Sequence, residues 1–301
     1  MNTYGEKFKV TTYGESHGPA VGAVIDGCPA GVAIDFDAIN EALSRRRTGA
    51  PRKEEDEIEW LSGIKDGITL GTPIAFLVRN TNTRPEDYAA IERLFRPGHA
   101  DYTYYMKYGL RDHRGGGRAS ARETLARVVV GSIALQLMPE ISIQCSVTSG
   151  QLAVDDTVGG MVTCRIEGVP AGVGEPIFGK LNAALASAMI SIPSAIGFEM
   201  GAGFAAAQMK GSEYIDHWNA DGSTQTNHCG GIQGGISNGM PIEFRVAFHP
   251  VVTIPQPIEC LHEDGHLETV NLGGRHDRYH IERAAVVVES MAALCLINYM
   301  L

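Results

Sequence analysis

The residues best suited to chemistry lie between Arg96 and Glu123, in the run RPGHADYTYYMKYGLRDHRGGGRASARE. This segment combines histidines, arginines and consecutive glycines in a chain whose formal net charge is −10. Arginine grips phosphate and carboxylate groups with forked donors, and glycine lets backbone amides approach a ligand closely. We therefore predict a bound anion here. For GGGR alone, a glycine turn flanked by solvated arginines is an equally good interpretation.

Two histidines could transfer protons. His17 follows Ser16 in the run GESHG, and His99 lies in RPGHAD close to Arg96. Adjacent serine and histidine side chains diverge along an extended chain, so proton donation by His17 is preferred over a nucleophilic pair or a structural role. The rigid, cationic loop around His99 suits a proton donor that faces an anion, and Asp101 either orients that ring or only shapes the turn.

A second group of cations ends the first predicted helix. Arg45, Arg46 and Arg47 are followed by Arg52 and then by an acidic stretch from residue 54 to residue 59. Taken alone, this pattern is typical of a solvated helix end beside a compensating acidic face. Beside the Arg96–Arg118 loop, the same cations become candidates for binding an anion.

Two further motifs admit a functional and a structural interpretation. The run GGIQGGISNG at 230–239 could line a flat cofactor with backbone amides, although it matches neither a dinucleotide-binding fingerprint nor a phosphate-binding loop. His262 and His266 resemble a pair of metal ligands. Since Asp264-Gly265 between them is a hairpin signal, we predict a turn and no metal.

The elements that must position these residues occur twice. DGCPAGV at 26–32 and EGVPAGV at 167–173 each follow a strand-like run, and helical spacing follows at 36–43 and 176–190. Strand-like runs also lie within 57–79, 162–166 and 242–248. The pattern predicts an α+β fold with two antiparallel sheets and helices packed against them. Chance similarity of turn sequences is the alternative to a true duplication.

The predicted helices bear on the site and on the domain organisation. A helix over 119–137 would place the three glycines at its N-terminus, where an anion is favoured. The apolar run 284–301 is interrupted by Glu289 and Asn298, which favours a buried helix over a membrane span. Since no long linker divides the chain, we predict one domain over 1–301 with merged halves of about 1–140 and 141–301.

Composition excludes several classes of partner. With 301 residues, 44% of them hydrophobic, the chain can form a proper core. Its net negative charge argues against nucleic acid or an anionic membrane as a partner. The six cysteines are dispersed without a CxxC pair, and residues 1–9 lack an apolar signal segment, so we expect a cytoplasmic protein with free thiols.

Taken together and in order, six motifs resemble the chorismate synthase family: SHG, RRRTGAPR, the run from Arg96 to Glu123, GVPAGVGEP, GGIQGGISNG and GRHD. The resemblance spans about residues 4–289. It implies a β-α-β sandwich with an internal pseudo-two-fold repeat, assembled as a homotetramer. It also implies a carbon–oxygen lyase that eliminates phosphate from 5-enolpyruvylshikimate 3-phosphate in an anti 1,4 sense, giving chorismate. Reduced FMN would be required without net oxidation, and NADPH could serve where a member reduces its own flavin.

The resemblance also assigns roles to individual residues. His17 would protonate the departing phosphate, His99 would be the proton partner of the flavin, and Asp277 would assist proton removal. Substrate or NADPH would be bound by Ser16, Arg46, Arg52 and Arg96. The residues expected to contact FMN are Arg118, Ala119, Ser120, Pro193, Ser194, Asn227, Gly234, His249, Pro250, Val251, Val252, Thr253 and Arg275.

The chain departs from the family pattern in three places. His249 and Ile196 stand where the family usually has lysines, and the segment 139–161 and the C-terminal tail are shorter than usual. These departures keep two rivals open. One is a paralogue that retains the flavin and anion site with lost or altered elimination, and the other is a non-catalytic protein that binds an anion or a flavin.

Overall fold

Two antiparallel sheets enclose a layer of helices in the computed structural model, which describes residues 1–50, 54–151, 154–271 and 280–301. The strands, in chain order, are β1 (Thr3–Tyr4), β2 (Lys9–Tyr13), β3 (Ala20–Asp26), β4 (Ile58–Ser62), β5 (Ile64–Lys65), β6 (Ile68–Thr69), β7 (Ile74–Arg79), β8 (Leu94–Phe95), β9 (Ser142–Ser149), β10 (Gly160–Glu167), β11 (Ala195–Met200), β12 (Ile232–Gln233), β13 (Ile236–Ser237), β14 (Ile242–Phe248), β15 (Pro257–His262) and β16 (Leu267–Asn271). The helices are α1 (Phe36–Arg47), α2 (Asp101–Tyr108), α3 (Thr124–Gln136), α4 (Leu181–Ile190), α5 (Gly211–Tyr214) and α6 (Ile281–Met300).

The two large sheets have the same strand order. The first runs β1-β2-β3-β7-β4 and the second runs β9-β10-β14-β11, so β2, β3, β7 and β4 correspond to β9, β10, β14 and β11. The connections match as well. The helices α1 and α4 follow the repeated turns, and the hairpins β5-β6 and β12-β13 directly precede β7 and β14 in the chain. The α+β sandwich with an internal repeat is confirmed. The division of one domain into halves of about 1–140 and 141–301 stays a prediction.

Burial explains why these strands form. In β7 the side chains of Ile74, Phe76 and Val78 are fully buried while the intervening ones are only partly covered, which is the period of two expected for a sheet with one face on the core. The strands β10 and β14 alternate in the same way. Both sheets therefore direct one apolar face toward the helices.

The helices α3 and α6 form the centre of the middle layer. α3 packs on β3, α6 packs on β9 and β10, and the two helices pack against each other. A Cβ atom at Gly131 of α3 would lie 2.4 Å from the Cβ of Ser290 in α6, so only glycine permits this close crossing. The buried helix predicted over 284–301 is confirmed, and it starts three residues earlier, at Ile281.

Two predicted helices begin later than expected. The helix predicted over 119–137 starts at Thr124, and Gly115, Gly116 and Gly117 all have positive φ, so they form a turn seven residues ahead of it. The helix predicted from residue 176 starts at Leu181, because Ile177 adopts a φ of +62° that no right-handed helix allows. The prediction that the glycines lie at a helix N-terminus is therefore wrong.

Two further findings concern the cysteines and the helices. All six cysteines lie in the described ranges and are free thiols, with Cys145 and Cys229 partly exposed and the other four buried. Over those same ranges, no helix has the length and apolar character needed to cross a bilayer.

Candidate active site

The glycine turn Arg114–Ala119 brings the two predicted catalytic histidines to one loop. A Cβ at Gly115 would lie 2.1 Å from Nδ1 of His17, and a Cβ at Gly116 would lie 3.0 Å from Nε2 of His99. The backbone of each glycine therefore rests directly against an imidazole ring. This loop needs glycine both for its positive φ angles, +60° and +79° at these two positions, and for these contacts.

His17 lies in the loop between β2 and β3. The hydroxyl of Ser16 is 3.2 Å from its Nδ1, and the ring of Tyr88 meets it edge-on with centroids 5.0 Å apart. The backbone N–H of Ser16 donates to the carbonyl of Gly117 at 3.1 Å, which ties this loop to the glycine turn. His17 is partly exposed and lines a cavity. Its ring is thus held in place with a surface open to a ligand.

His99 lies in a buried ionic network. Its Nδ1 is 3.0 Å from Oδ1 of Asp101, and Nη2 of Arg96 lies 3.1 Å from both ring nitrogens. Nε of Arg96 donates to Oδ2 of Asp101 at 2.7 Å, and Arg111 lies 3.5 Å from the same carboxylate. Burial opposes ionisation of Asp101, but the hydrogen bonds from His99 and Arg96 outweigh it and hold the pKa of this carboxyl below its ordinary value. Asp101 therefore orients the ring, which was one of the two roles considered for it.

A second ionic network forms the cationic wall of the cavity. Arg46 donates to the hydroxyl of Thr124 and to the carbonyl of Ala121, both at 3.0 Å, and its side chain is only 12% exposed. Burial, followed by the charge of Arg122, lowers the pKa of Arg46 to about 10. Arg122 pairs with the buried carboxylates of Asp56 and Glu54 at 2.5 Å each. The arginine side chains are thus fixed before any ligand arrives.

These contacts divide the Arg45–Arg47 cluster. Arg45 is 49% exposed and pairs with Glu289 at 2.7 Å, as expected for a solvated helix end. Arg46 is only 12% exposed and lines the cavity. The acidic stretch is not a simple solvated face either, because Asp56 is buried and adopts a φ of +56°. A residue held in this strained region is common at functional sites.

The second half of the chain supplies the opposite wall. Ile192, Pro193 and Ser194 follow α4, and Ser194 also has a positive φ, +66°. Its hydroxyl lies 2.9 Å from Nε2 of His280, which immediately precedes α6. From α6 itself, Arg283, Ala284 and Val287 reach the cavity. This wall is more apolar than the first.

Together the two walls enclose a cavity of about 240 Å³. Ser16, His17, Arg46, Ser120, Pro193 and Ser194, all predicted from the sequence, line it. Its other lining residues include Arg47, Glu54, Asp56, Arg84, Asp87, Tyr88, Gly115, Ala121, Arg122, Thr124, Ile192, His280, Arg283, Ala284 and Val287. The site thus lies between the two halves of the repeat.

Other predicted residues lie away from this cavity. Arg118 and Ala119 line a second, larger cavity of about 840 Å³ together with Tyr104 and Tyr108, and Arg118 donates to the carbonyl of Thr12 at 2.9 Å. Gly116 lines this second cavity, whereas Gly115 lines the first. Of the residues predicted to contact FMN, Ser120, Pro193 and Ser194 therefore line the first cavity, and Arg118 and Ala119 line the second.

The segment His249–Thr253 runs beside both the Ser194 turn and the His99 loop. The backbone N–H of His249 donates to the carbonyl of Ser194 at 3.0 Å, and Nδ1 of His249 lies 2.6 Å from the carbonyl of Pro250. The carbonyl of Val251 accepts from the hydroxyl of Thr157 at 2.7 Å. Val252 packs on Gly98, since a Cβ added at Gly98 would lie 2.9 Å from Cγ1 of Val252.

Asn227 and Gly234 lie farther along the second half. Asn227 donates its side-chain amide to the carbonyl of Pro241 at 2.9 Å, and Gly234 forms the turn of the β12-β13 hairpin. Within the described ranges, neither residue lines the first or the second cavity. Arg52, Arg275 and Asp277 lie outside the described residues. Their roles stay predictions.

Sequence reasoning missed several residues at the cavity. Arg122 and Arg283 carry no predicted role, and the pattern of the acidic stretch predicts solvated positions for Glu54 and Asp56, yet all four line the cavity. The signal that could have found Arg122 is its position two residues after Ser120, within the run RASARE. Tyr88 and His280 carry no such local signal, because only folding brings them to His17 and Ser194.

Comparison with known proteins now assigns the chain to a family. The family model described as chorismate synthase matches residues 8–153 and 150–301. This chain belongs to the chorismate synthase family. The chorismate synthase of Christiangramia forsetii is 48% identical, with 100% of this chain and 97% of the relative covered, and that of Flavobacterium psychrophilum is 46% identical with the same coverage. A crystal structure of chorismate synthase, 29% identical, superposes with a TM-score of 0.77 over 99% of this chain and 92% of that one.

The alignments also show that members of the chorismate synthase family carry sequence that this chain lacks. The alignment with the C. forsetii protein spans 344 positions, against 301 residues here. The family model matches in two segments that meet at residues 150–153. We infer that much of the missing sequence falls between β9 and β10, within the segment 139–161 that was predicted to be short.

Proposed function

We propose that this chain catalyses the chorismate synthase reaction, the anti 1,4-elimination of phosphate from 5-enolpyruvylshikimate 3-phosphate. The observation that carries the proposal is the position of His17, which contacts Gly115 and lines a cavity that arginines also line. A proton donor beside a cationic wall is the arrangement that the departure of a phosphate requires. Full-length identity of 48% to a chorismate synthase supports the same assignment.

The charges of the cavity match the proposed substrate, which carries one phosphate and two carboxylates. Among the described residues, five arginines line the cavity: Arg46, Arg47, Arg84, Arg122 and Arg283. Two of them have different tasks, because Arg122 is neutralised by Glu54 and Asp56 while Arg46 lies 3.9 Å from the nearest carboxylate oxygen. We assign Arg46 to direct binding of the substrate and Arg122 to holding the wall in position.

His17 would deliver the proton to the leaving phosphate. The Ser16 hydroxyl at 3.2 Å from Nδ1 and the edge of Tyr88 fix the ring plane, and Gly115 prevents the ring from retreating. A fixed ring places its proton without a reorganisation cost at the moment of reaction. Protonation of the phosphate oxygen would then assist cleavage of the carbon–oxygen bond.

The cavity residues fit a reduced flavin as well as an anion. Its second wall, formed by Ile192, Pro193, Ala284 and Val287, offers apolar surface to a flat ring, while the arginines opposite suit a phosphate group. Ser120, Pro193 and Ser194 would hold the flavin on this side. Arg118 and Ala119 would contact it only if it extends into the second cavity. When bound, reduced FMN supplies electron density that weakens the bond to phosphate.

The roles of His99 and Asp277 are also proposals. His99 lies behind Gly116, and it is held by Asp101 and Arg96, which suits a proton partner at a fixed position. NADPH as a reductant, a homotetramer and a cytoplasmic location complete the proposal. Six free thiols support a reducing compartment.

A turnover assay tests the proposal directly. The purified chain is mixed anaerobically with FMN reduced by dithionite and with 5-enolpyruvylshikimate 3-phosphate, and both chorismate absorbance and released phosphate are followed. We expect equal amounts of the two products. If neither forms while oxidised FMN still binds, the chain is a paralogue with lost elimination. If neither product forms and FMN does not bind, the flavin site itself is refuted.

A further inference from the structure

The hairpin between β15 and β16 brings three metal-ligating side chains together at a distance from the candidate active site. Nδ1 of His262 lies 2.7 Å from Oδ1 of Asp264, and Nδ1 of His266 lies 2.6 Å from the same oxygen. The two imidazole rings are stacked, with centroids 4.5 Å apart. On the basis of the Asp264-Gly265 turn we predicted no metal, yet this turn is the feature that brings the two imidazoles and the carboxylate together.

We propose that His262, Asp264 and His266 bind one divalent transition-metal ion of the Zn²⁺ class. Two imidazole nitrogens and one carboxylate oxygen form a donor set that such ions prefer, and an exposed site leaves room for water as a further ligand. Ligand atoms around tetrahedral Zn²⁺, at about 2.0–2.1 Å from the ion, lie about 3.3 Å from one another. The present contacts of 2.7 and 2.6 Å need to open by about 0.6–0.7 Å to reach that separation.

The hairpin backbone can permit that opening while holding the donors near each other. The N–H of His262 donates to the carbonyl of His266 at 2.8 Å, and Gly265 closes the turn with a φ of +97°. The side chains of Asp264 and His266 are each 56% exposed, so they can move into solvent. The side chain of His262 is only 12% exposed and provides the fixed ligand.

Nearby acidic residues favour a cation at this turn. Oε2 of Glu268 lies 3.9 Å from Nε2 of His266, the nitrogen that faces away from Asp264, so it can orient the ring as a second carboxylate commonly does for a metal-bound histidine. Glu263 anchors the turn instead, through its N–H to the carbonyl of Arg93 at 3.0 Å and through an ion pair with the Arg93 side chain.

Occupation of the site would tighten an element that leads to the His99 loop. β15 pairs with β8 through Leu261 with Phe95 and His262 with Leu94, and β8 ends one residue before Arg96. A metal held by His262 would thus stabilise the hairpin and its contact with β8. We expect a structural ion that raises thermal stability, and one that takes no part in turnover.

Calorimetric titration of ZnCl₂ into tag-free, chelator-treated protein tests the site. We expect wild type to bind one equivalent. The variant His266→Gln should bind at least about tenfold more weakly, since even the loss of an outer partner of a ligand costs that much. The matched control is His217→Gln, which removes an exposed histidine elsewhere and should bind like wild type. Zn²⁺ should raise the Tm of wild type and control but not of His266→Gln.

The outcomes distinguish Zn²⁺ binding at this hairpin from Zn²⁺ binding by thiols or histidines elsewhere in the protein. Absence of binding in wild type overturns the proposal. Equal affinity in wild type and His266→Gln also overturns it, because the ion would then be bound elsewhere, for example by Cys145 and Cys164 on neighbouring strands. Asp264→Asn, which leaves both imidazoles and changes a side chain that is 56% exposed, should weaken binding as well. Mg²⁺ binding as tightly as Zn²⁺ would contradict the assigned donor chemistry.

Discussion

His17 and His99 rest on adjacent glycines of one loop, yet their surroundings differ. His17 has a hydroxyl and an aromatic edge as neighbours and lines the cavity. His99 contacts a buried carboxylate and an arginine, and within the described residues it lines neither cavity. The ring of His17 thus lies at the cavity, whereas the ring of His99 is held by charged groups. We therefore expect loss of His17 to affect mainly proton transfer, and loss of His99 to affect the position and stability of the loop as well.

The largest expected effect comes from removing either imidazole. His17→Ala and His99→Ala should each lower turnover by about ten- to ten-thousand-fold, the range for losing a general acid or base. His99→Ala should also lower the free energy of unfolding, because it deprives the buried carboxylate of Asp101 of a hydrogen bond. Steady-state turnover with reduced FMN, together with chemical denaturation, measures both quantities.

His217→Ala serves as the control for both variants, since this exposed histidine lies in neither network. It should leave turnover and stability unchanged. Wild-type turnover in His17→Ala at saturating substrate would remove His17 from the mechanism. Unchanged stability in His99→Ala would contradict the role of this imidazole in the buried network around Asp101.

The buried network around His99 predicts the next effect. Asp101→Asn leaves Arg96 and Arg111 with an uncharged partner, and breaking a buried pair in this way costs about 3–5 kcal/mol of unfolding free energy. Asp112→Asn is the matched control. Its partner Arg114 is 44% exposed, so it should cost at most about 1 kcal/mol. Urea denaturation compares the two, and equal costs would show that burial of Asp101 has no energetic importance.

The lowered pKa of Asp101 determines the direction in which the free energy of unfolding changes with pH. The pKa of Asp101 in the folded protein lies below its ordinary value of about 3.9. Its contribution to stability is therefore fully present above that ordinary value and is lost as pH falls toward the folded value. The stability gap between wild type and Asp101→Asn should shrink below about pH 4. A gap that widens there would reverse the assignment.

The glycine that supports His17 offers a test of position alone. Gly115→Ala adds a Cβ at 2.1 Å from Nδ1 of His17, so the ring or the loop must shift. A misplacement of about 1 Å costs about 100-fold in rate. Gly109→Ala provides the control, because Gly109 has a similar φ of +74° but nothing within 4 Å of the added Cβ. Turnover of the two variants separates the contact from the backbone strain, and equal losses would assign the effect to strain.

Local patterns predicted the elements well, and much of the site less well. The repeated turns at 26–32 and 167–173 predicted two equivalent sheets, because strand period and turn chemistry are encoded within a few residues. The glycines were misplaced at a helix N-terminus because sequence does not reveal that three successive residues take positive φ. Tyr88 and His280 were missed because they reach the site only through the tertiary fold.

The hairpin between β15 and β16 and the Arg45–Arg47 cluster also show that local sequence does not reveal which side chains meet in the folded protein. Asp264-Gly265 correctly indicated a turn, but the convergence of two imidazoles on one carboxylate depends on strand register. Likewise, the pattern of three consecutive arginines predicts one solvated group, although the turn of the helix directs Arg45 toward Glu289 and Arg46 toward the cavity. Helix phase decides which arginine faces the ligand.

That phase difference gives the smallest and last prediction. Arg46→Ala should weaken substrate binding by about 1.5–3 kcal/mol, the value of a lost hydrogen bond to a charged group, while the flavin still binds. Arg45→Ala should change binding little, since this arginine is half exposed and already paired with Glu289. Titration of 5-enolpyruvylshikimate 3-phosphate, followed by flavin absorbance, measures both dissociation constants. If Arg45→Ala weakens binding as much as Arg46→Ala, the effect is one of general charge. The cationic wall would then lose its assigned role beside His17.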